Sequence, residues 1–119
     1  MLTAQMTTAS VCYLETIGRR TGKPHEIEIW FASEDGVTMY LLSGGRDRAD
    51  WVRNIRANPA CRVRFGSEWF EGVASEIEGG PDELKGRQIV AAKYYGWREG
   101  PLPNQWASES LPVRIDLIP

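Results

Sequence analysis

Residues 18–24 read Gly-Arg-Arg-Thr-Gly-Lys-Pro, a basic turn bounded by glycines. Two strand-like runs follow the turn, and the second ends in Leu-Ser-Gly-Gly at residues 42–45. A helix pattern then covers 47–59, with the sequence Asp-Arg-Ala-Asp-Trp-Val-Arg-Asn-Ile-Arg-Ala-Asn-Pro, and leads into a basic strand. We interpret residues 18–65 as two anion-binding loops that antiparallel strands bring together.

The chain of 119 residues is expected to fold as one domain, 1–119, because it has no room for a second core. Its net charge of −2 is unevenly distributed: residues 18–65 carry nine Lys or Arg against six Asp or Glu. A locally basic middle in an acidic chain of pI about 5.4 favours a small anionic ligand over nucleic acid.

Cys12 and Cys61 have neither the spacing of a metal site nor that of a redox motif, and we expect two reduced thiols that could be neighbours in space. There is no apolar run long enough for a membrane span, so no integral membrane segment is expected. Residues 1–8 lack the features of a signal peptide, which predicts a cytoplasmic protein.

Alternation of period two marks the strands, most clearly where Ile27, Ile29 and Phe31 oppose Glu26, Glu28 and Trp30. Asp35-Gly36 is typical of a hairpin turn between this strand and the next, which is dense in apolar residues and therefore expected to be central. Residues 1–9 are expected to be a loose terminus and 97–109 an irregular loop. The predicted strands are 10–16, 25–33, 37–43, 60–66, 67–78 and 111–118, with helices from Asp47 to Asn58 and from Gly80 to about Tyr95. This order predicts a small α+β barrel.

Few side chains are suited to catalysis. His25 is the only histidine, no serine or cysteine is placed to form a triad with it, and no metal-ligand spacing is present. Neither a P-loop nor a dinucleotide-binding fingerprint occurs. An enzyme with this sequence therefore needs a bound organic cofactor.

The basic turn suits the anionic part of such a cofactor. Arg19 and Arg20 offer forked donors, Thr21 a hydroxyl and Lys23 a point charge. The Ser43-Gly44-Gly45 loop, between a strand and a helix, forms a second cradle for an anion or a ring edge. Trp30 and Trp51 could wall a flat ring between them. Each feature also has a plain interpretation, as a solvated turn, a tight turn or core tryptophans.

Taken together, the basic turn, the Trp-Phe pair at 30–31, the Ser-Gly-Gly loop and the 49–59 helix pattern resemble the deazaflavin-dependent nitroreductase family. The resemblance covers residues 10–78 best. It implies a split β-barrel of six mainly antiparallel, Greek-key-like strands with two or three short helices. It further implies the hydride donor F420, a deazaflavin, as cofactor. The implied cofactor-binding residues are Arg19, Arg20, Thr21, Lys23, Trp30, Ser43, Gly44, Gly45, Trp51 and Asn54. Many relatives carry a lysine near the Ser-Gly-Gly loop that this chain lacks.

The resemblance also places Tyr94, Tyr95 and Trp97 beside the substrate, and either tyrosine could supply a proton. The implied reaction is hydride transfer to an electrophilic small molecule, such as a quinone, enone or nitroaromatic, with no protein-bound metal. Two alternatives remain open: the same fold with FMN or heme, and a carrier of the cofactor without catalysis. A homodimer is a further expectation.

Overall fold

The computed structural model describes residues 1–119 and contains six strands and four helices. The strands are β1 (Cys12–Ile17), β2 (Pro24–Ile29), β3 (Thr38–Ser43), β4 (Ala60–Phe65), β5 (Glu68–Glu76) and β6 (Leu111–Leu117). The helices are α1 (Ala4–Thr7), α2 (Asp50–Ala57), α3 (Gly80–Tyr95) and α4 (Gln105–Glu109), and a single 3₁₀ turn spans Arg46–Arg48. The predicted α+β class is confirmed, and so is the order of the six strands and two main helices.

All six strands form one antiparallel sheet in the order β2-β1-β4-β5-β6-β3. Ala32, just past the end of β2, pairs with Tyr40 of β3, and their backbones exchange hydrogen bonds of 3.0 and 2.8 Å. The sheet therefore curls into a half-barrel whose edges touch at one bridge. This is the split-barrel architecture that the resemblance implies.

The concave face of the sheet holds the core because alternate side chains point inward. On β1, Cys12, Leu14 and Thr16 are buried, whereas the residues between them are half-buried. The predicted alternation around β2 is confirmed: Phe31 is fully buried and Ile27 and Ile29 are half-buried, while Glu28 and Trp30 are exposed.

The expected hairpin between β2 and β3 is reduced to the single antiparallel bridge between Ala32 and Tyr40. Strand β2 itself pairs with β1 and β3 with β6, so the expected central position of β3 is wrong and β3 is an end strand. The Asp35-Gly36 turn forms, with Gly36 at a φ of 75°, but it receives the amino-terminal segment instead. The Leu2 N–H donates to the Gly36 carbonyl at 2.8 Å, and Leu2 is 4% exposed. Because Leu2 is anchored and α1 forms, the predicted loose terminus is also wrong.

Helix α3 covers the outer face of β3, which explains why an end strand is so deeply buried. Gly86 lies directly over the Tyr40 ring: a Cβ at position 86 would stand 2.6 Å from Tyr40 Cδ1. The Tyr40 hydroxyl donates to the Asp82 carboxylate at 2.5 Å. Burial and the neighbouring Asp82 raise the pKa of Tyr40 to about 12. The predicted end of the helix at Gly96 is confirmed, since this residue has a φ of 68° and caps α3.

Two local predictions fail for identifiable reasons. Asp47 does not cap α2, because the 3₁₀ turn separates them and the helix begins only at Asp50. The predicted irregular loop contains α4, whose first turn is capped by the Asn104 side chain accepting from the Ala107 N–H at 2.8 Å.

Cys12 and Cys61 are not neighbours. Cys61 lies opposite Thr16, four residues along β1 from Cys12, which corresponds to about 13 Å. Both thiols are free and buried, and burial raises the pKa of each to about 12, so neither is a reactive thiolate.

None of the four helices combines the length and apolar character that crossing a bilayer requires.

Replacing Gly86 by Ala tests the α3–β3 contact. Helix propensity alone predicts stabilisation by about 1 kcal/mol. We expect the opposite, a loss of about 1–3 kcal/mol, because the new methyl group would overlap the Tyr40 ring. Urea unfolding measures the difference, with exposed Ala92→Ser on the same helix as the control. A more stable Gly86→Ala variant would contradict this packing.

Candidate active site

The basic turn and the first half of α2 enclose a cavity of about 330 Å³, named here the turn pocket. It lies where β1 ends and β2 begins. The turn itself is closed by hydrogen bonds from Gly18 N to the Lys23 carbonyl and from Gly22 N to the Gly18 carbonyl, both of 2.8 Å. The residues that line the pocket are Thr16, Gly18, Arg19, Arg20, Thr21, His25, Glu26, Ile27, Asp50, Trp51 and Asn54.

A buried amide fixes the turn to the helix. Asn54, 2% exposed, accepts from Arg19 twice, from its backbone N–H at 3.2 Å and from its guanidinium at 2.9 Å. The Asn54 Nδ2 group donates to Thr16 Oγ1 at 3.1 Å. Asp50 accepts a further hydrogen bond from Arg19 at 3.1 Å. Arg19 and Asn54 therefore spend their polar groups on each other, and they shape the pocket more than they present charge to it.

The uncompensated charge of the turn belongs to Arg20 and Lys23. Neither side chain makes a hydrogen bond or an ion pair within the protein, and both residues are exposed. The two carboxylates in the pocket are already matched, Asp50 by Arg19 and Glu26 by Arg64 at 2.7 Å. The pocket is therefore electrically positive at its mouth.

The predicted Ser-Gly-Gly loop ends β3 and leads into α2. Ser43 is buried, and its hydroxyl donates to the Arg46 carbonyl at 2.9 Å, so this side chain stabilises the loop. Gly44 lies against the indole of Trp106: a Cβ at position 44 would stand 3.1 Å from Trp106 Cδ1. Gly45 caps the 3₁₀ turn, and a Cβ there would make ordinary van der Waals contact with Ala49 at 3.9 Å.

Trp30 belongs to a second group of residues, the aromatic cluster, which consists of Trp30, Tyr94, Tyr95 and Trp106. The Trp30 ring stacks on Tyr94 with centroids 4.2 Å apart and planes within 5°, and it meets Trp106 edge-on at 5.5 Å. Trp30 is nevertheless 41% exposed. Trp51 lines the turn pocket, and the pairing of Trp30 with Trp51 across one ring stays a prediction.

The two predicted tyrosines differ in what their hydroxyls can do. The Tyr94 hydroxyl accepts from the Phe31 N–H at 3.0 Å and lies 2.7 Å from the Ser10 carbonyl, to which it donates. Burial raises the pKa of Tyr94. The Tyr95 hydroxyl has no partner in the protein, and the residue is 45% exposed. Tyr94 thus fastens α3 to the segment that carries Trp30, and Tyr95 is the tyrosine available to a ligand. Trp97 stands apart from the cluster, and its indole N–H donates to the Gly100 carbonyl at 3.1 Å.

Three residues near these sites escape sequence reasoning. His25 is exposed as expected, but its imidazole lies against Gly18 in the turn pocket. Lys93 Nζ donates to the Phe31 carbonyl at 2.9 Å and lies 3.6 Å from the centre of the Phe31 ring, and burial lowers the pKa of Lys93 to about 8. Trp106 lies in the predicted loop. Helical periodicity over two or more turns would have predicted a helix around Trp106, but α4 is only five residues long.

Strand β2 connects the two sites. It starts at Pro24, beside the basic turn, and the chain reaches Trp30 six residues later, a distance of about 20 Å along an extended strand. The Ser43–Gly45 loop also links the two sites. It contacts Trp106 of the aromatic cluster and continues into the helix that lines the turn pocket. The arrangement suits a long ligand with a flat ring at one end and an anion at the other.

A sequence model of the F420H2-dependent quinone reductase family matches residues 2–117. The chain belongs to this family. This match confirms the resemblance drawn from the sequence. As a member of the family, the protein is an F420-dependent reductase. No curated protein matches the chain in sequence.

Solved structures share the fold of this F420H2-dependent quinone reductase family member. A conserved hypothetical protein of Mycobacterium tuberculosis matches with a TM-score of 0.75 and 22% identity, over 98% of this chain and 81% of that one. An F420-H2 dependent reductase matches with a TM-score of 0.68 and 21% identity, over 90% and 93%. A heme storage protein of Vibrio cholerae matches with a TM-score of 0.68 and 16% identity, over 92% and 82%.

Asn54→Ala should destabilise the protein by about 2–3 kcal/mol, because it leaves buried donors of Arg19 and the Thr16 hydroxyl without partners. Asn58→Ala, which removes one hydrogen bond to Ala60 N, is the control and should cost less than about 1 kcal/mol. Both values come from urea unfolding. Equal losses would show that the Asn54 network contributes no more than an ordinary hydrogen bond.

Lys93→Met tests the buried ammonium. The folded pKa of about 8 lies below the ordinary 10.5, so between these values the unfolded chain binds more protons and the stability of the native protein rises with pH. Relative to Lys93→Met, the native protein should gain unfolding free energy from pH 8 to pH 10.5, by less than the roughly 3 kcal/mol of an unscreened group because Lys93 is only half-buried. Exposed Lys85→Met should show no such trend. If the difference in unfolding free energy between the native protein and Lys93→Met did not change with pH, the lowered pKa of Lys93 would be contradicted.

Proposed function

We propose that F420 binds along β2, with its anionic tail at the turn pocket and its ring against the aromatic cluster, and that the acceptor is an electrophilic small molecule such as a quinone, enone or nitroaromatic. The observation that carries this proposal is the placement of unpartnered cations about 20 Å along one strand from an exposed tryptophan. A ligand with charge and ring at opposite ends would satisfy both.

Arg20 and Lys23 would hold the phosphate and glutamate groups of the tail. Their charges have no internal partner, so they lose no existing ion pair when an anion arrives. Thr21 would add its hydroxyl, which now accepts from Lys23 N at 3.2 Å. Arg19 and Asn54 would contribute by keeping the turn in the shape that presents these groups.

Trp30 would support the ring, because Tyr94 covers one face of the indole and holds it in a fixed orientation. Gly44 and Gly45 would let the loop backbone approach the ring edge or a phosphate without side-chain obstruction. Ser43 would keep that loop closed, and Trp51 would wall the pocket beside the tail.

Reduced F420, when bound, supplies a hydride. The residues of the cluster would exclude water from the acceptor and orient it. The Tyr95 hydroxyl is the side-chain group best placed to donate a proton to a reduced acceptor, because it is exposed and free. Tyr94, the other predicted proton donor, is better suited to positioning, since its hydroxyl is already hydrogen-bonded to the backbone of Phe31 and of Ser10.

FMN in the same fold is the main alternative ligand. FMN has a single terminal phosphate on a short chain, whereas the several cations of the basic turn favour the longer, more anionic F420 tail. Heme fits the proposed ring site less well because that site offers no histidine to the iron. His25, the one histidine, lies at the turn pocket and not at the aromatic cluster. A homodimer remains a proposal, for which the unpaired edge of β2 offers a surface.

The function is tested by titrating the protein with F420 and, separately, FMN and heme, followed by an assay of F420H2 oxidation with a quinone. We expect micromolar or tighter binding of F420 and turnover of the quinone. Binding of FMN or heme alone would replace the cofactor. Binding of F420 without turnover of any quinone, enone or nitroaromatic would favour a carrier.

Arg20→Ala should weaken F420 binding about 10- to 100-fold, because a charge-assisted hydrogen bond contributes about 1.5–3 kcal/mol. The matched control is Arg98→Ala, which removes another exposed arginine without an internal partner, outside both sites. Fluorescence titration at fixed salt gives both affinities. Equal affinity of the Arg20→Ala and Arg98→Ala variants would remove Arg20 from the site.

A further inference from the structure

Helix α4 is short, yet it is fixed from three sides. The guanidinium of Arg87, a buried residue of α3, donates to the Ala107 carbonyl at 3.0 Å. The Asn104 side chain caps the first turn, and the Arg46 guanidinium donates to the Glu109 carbonyl. The residue that these anchors present to the rest of the molecule is Trp106.

Trp106 is the one side chain that touches both parts of the proposed ring site. Its indole edge lies against Gly44, with Cδ1 and Nε1 at 3.1 and 3.2 Å from where a Cβ would stand. Its ring also meets Trp30 at 5.5 Å and Tyr95 at 6.2 Å. The three rings form a corner, and two of them, Trp30 and Tyr95, are about two-fifths exposed.

Polar groups in this corner lack partners. The Trp106 indole N–H donates to no acceptor in the protein, although the Trp97 indole in the preceding loop does. Ser110 Oγ is the only buried side-chain polar atom of the structure without a hydrogen bond, and it lies 3.9 Å from the same point beside Gly44. A buried polar atom without a partner, such as Ser110 Oγ, is uncommon. The half-buried Trp106 N–H beside it is free to donate to a ligand atom.

We propose that Trp106 determines acceptor specificity: its indole N–H binds a carbonyl oxygen of a flat ring that packs against Trp30 and Tyr95. This inference rests on the proposed function, since it assigns the aromatic cluster to the electron acceptor as well as to the cofactor ring. It predicts a preference for planar acceptors that carry a ring oxygen over planar hydrocarbons of the same shape. Gly44 favours this placement, because a Cβ there would stand 3.1 Å from Trp106 Cδ1 and would shift the indole by a few tenths of an ångström.

The test uses two probes of one shape, menadione and 2-methylnaphthalene, of which only menadione has carbonyl oxygens. Equilibrium dialysis without cofactor measures the affinity of each for the native protein, Trp106→Phe and the control Trp97→Phe. We expect the native protein to prefer menadione. Trp106→Phe keeps an aromatic ring and removes the donor, so it should weaken menadione about three- to tenfold and 2-methylnaphthalene less than twofold. Trp97→Phe should change neither.

Each other result overturns the proposal. Equal weakening of both probes by Trp106→Phe would leave Trp106 a packing residue. Unchanged affinities would remove it from the acceptor site, and so would a native protein that binds menadione no better than the hydrocarbon. Because dialysis needs no F420, failure of the protein to bind F420 is a separate result that tests the proposed function alone.

Discussion

The buried amide of Asn54 is the interaction on which the site depends. It joins three elements that are far apart in sequence: strand β1 through Thr16, the basic turn through Arg19, and its own helix α2. An amide can donate and accept at once, which no apolar residue at this core position could do. Because the backbone N–H of Arg19 is one of the groups it satisfies, the amide fixes the path of the turn as well as one side chain. These hydrogen bonds hold the basic turn against α2 and so shape the turn pocket.

Strand β2 then sets the distance between the two ends of the site. It is an end strand, paired on one side only, and it carries the chain from the basic turn to Trp30 with no insertion. Arg19 is paired with Asn54 and Asp50, whereas the charges of Arg20 and Lys23 have no partner in the protein and are proposed to bind the ligand. At the other end, Tyr94 and Lys93 of α3 bind the backbone of Phe31 and hold the exposed indole beside it. Structural and ligand-facing roles are thus divided between adjacent residues at both ends.

Period-two patterns predicted the strands well because each strand has one face in the core, and Gly96 marked the end of α3 because it adopts a left-handed conformation. Strand pairing could not be predicted from the Asp35-Gly36 signal, since a turn of this type is compatible with partners other than the flanking strands. Here the Leu2 N–H binds the Gly36 carbonyl of the turn, and Ala32, beyond the end of β2, pairs with Tyr40. The resemblance named Asn54 as a cofactor-binding residue and not as the anchor of the basic turn. Its hydrogen bond to Arg19, 35 residues away, leaves no local sequence pattern. Trp106 escaped because α4 is too short for periodicity.

The central claim is that one elongated ligand occupies both ends of β2. The most direct test compares the affinities of F420 and of its tail-less deazaflavin riboside for the native protein, Arg20→Ala and Trp30→Leu. The account predicts that Arg20→Ala weakens F420 alone, and that Trp30→Leu weakens both ligands by similar factors. Equal weakening of both ligands by Arg20→Ala, or an effect of Trp30→Leu on neither, would contradict it.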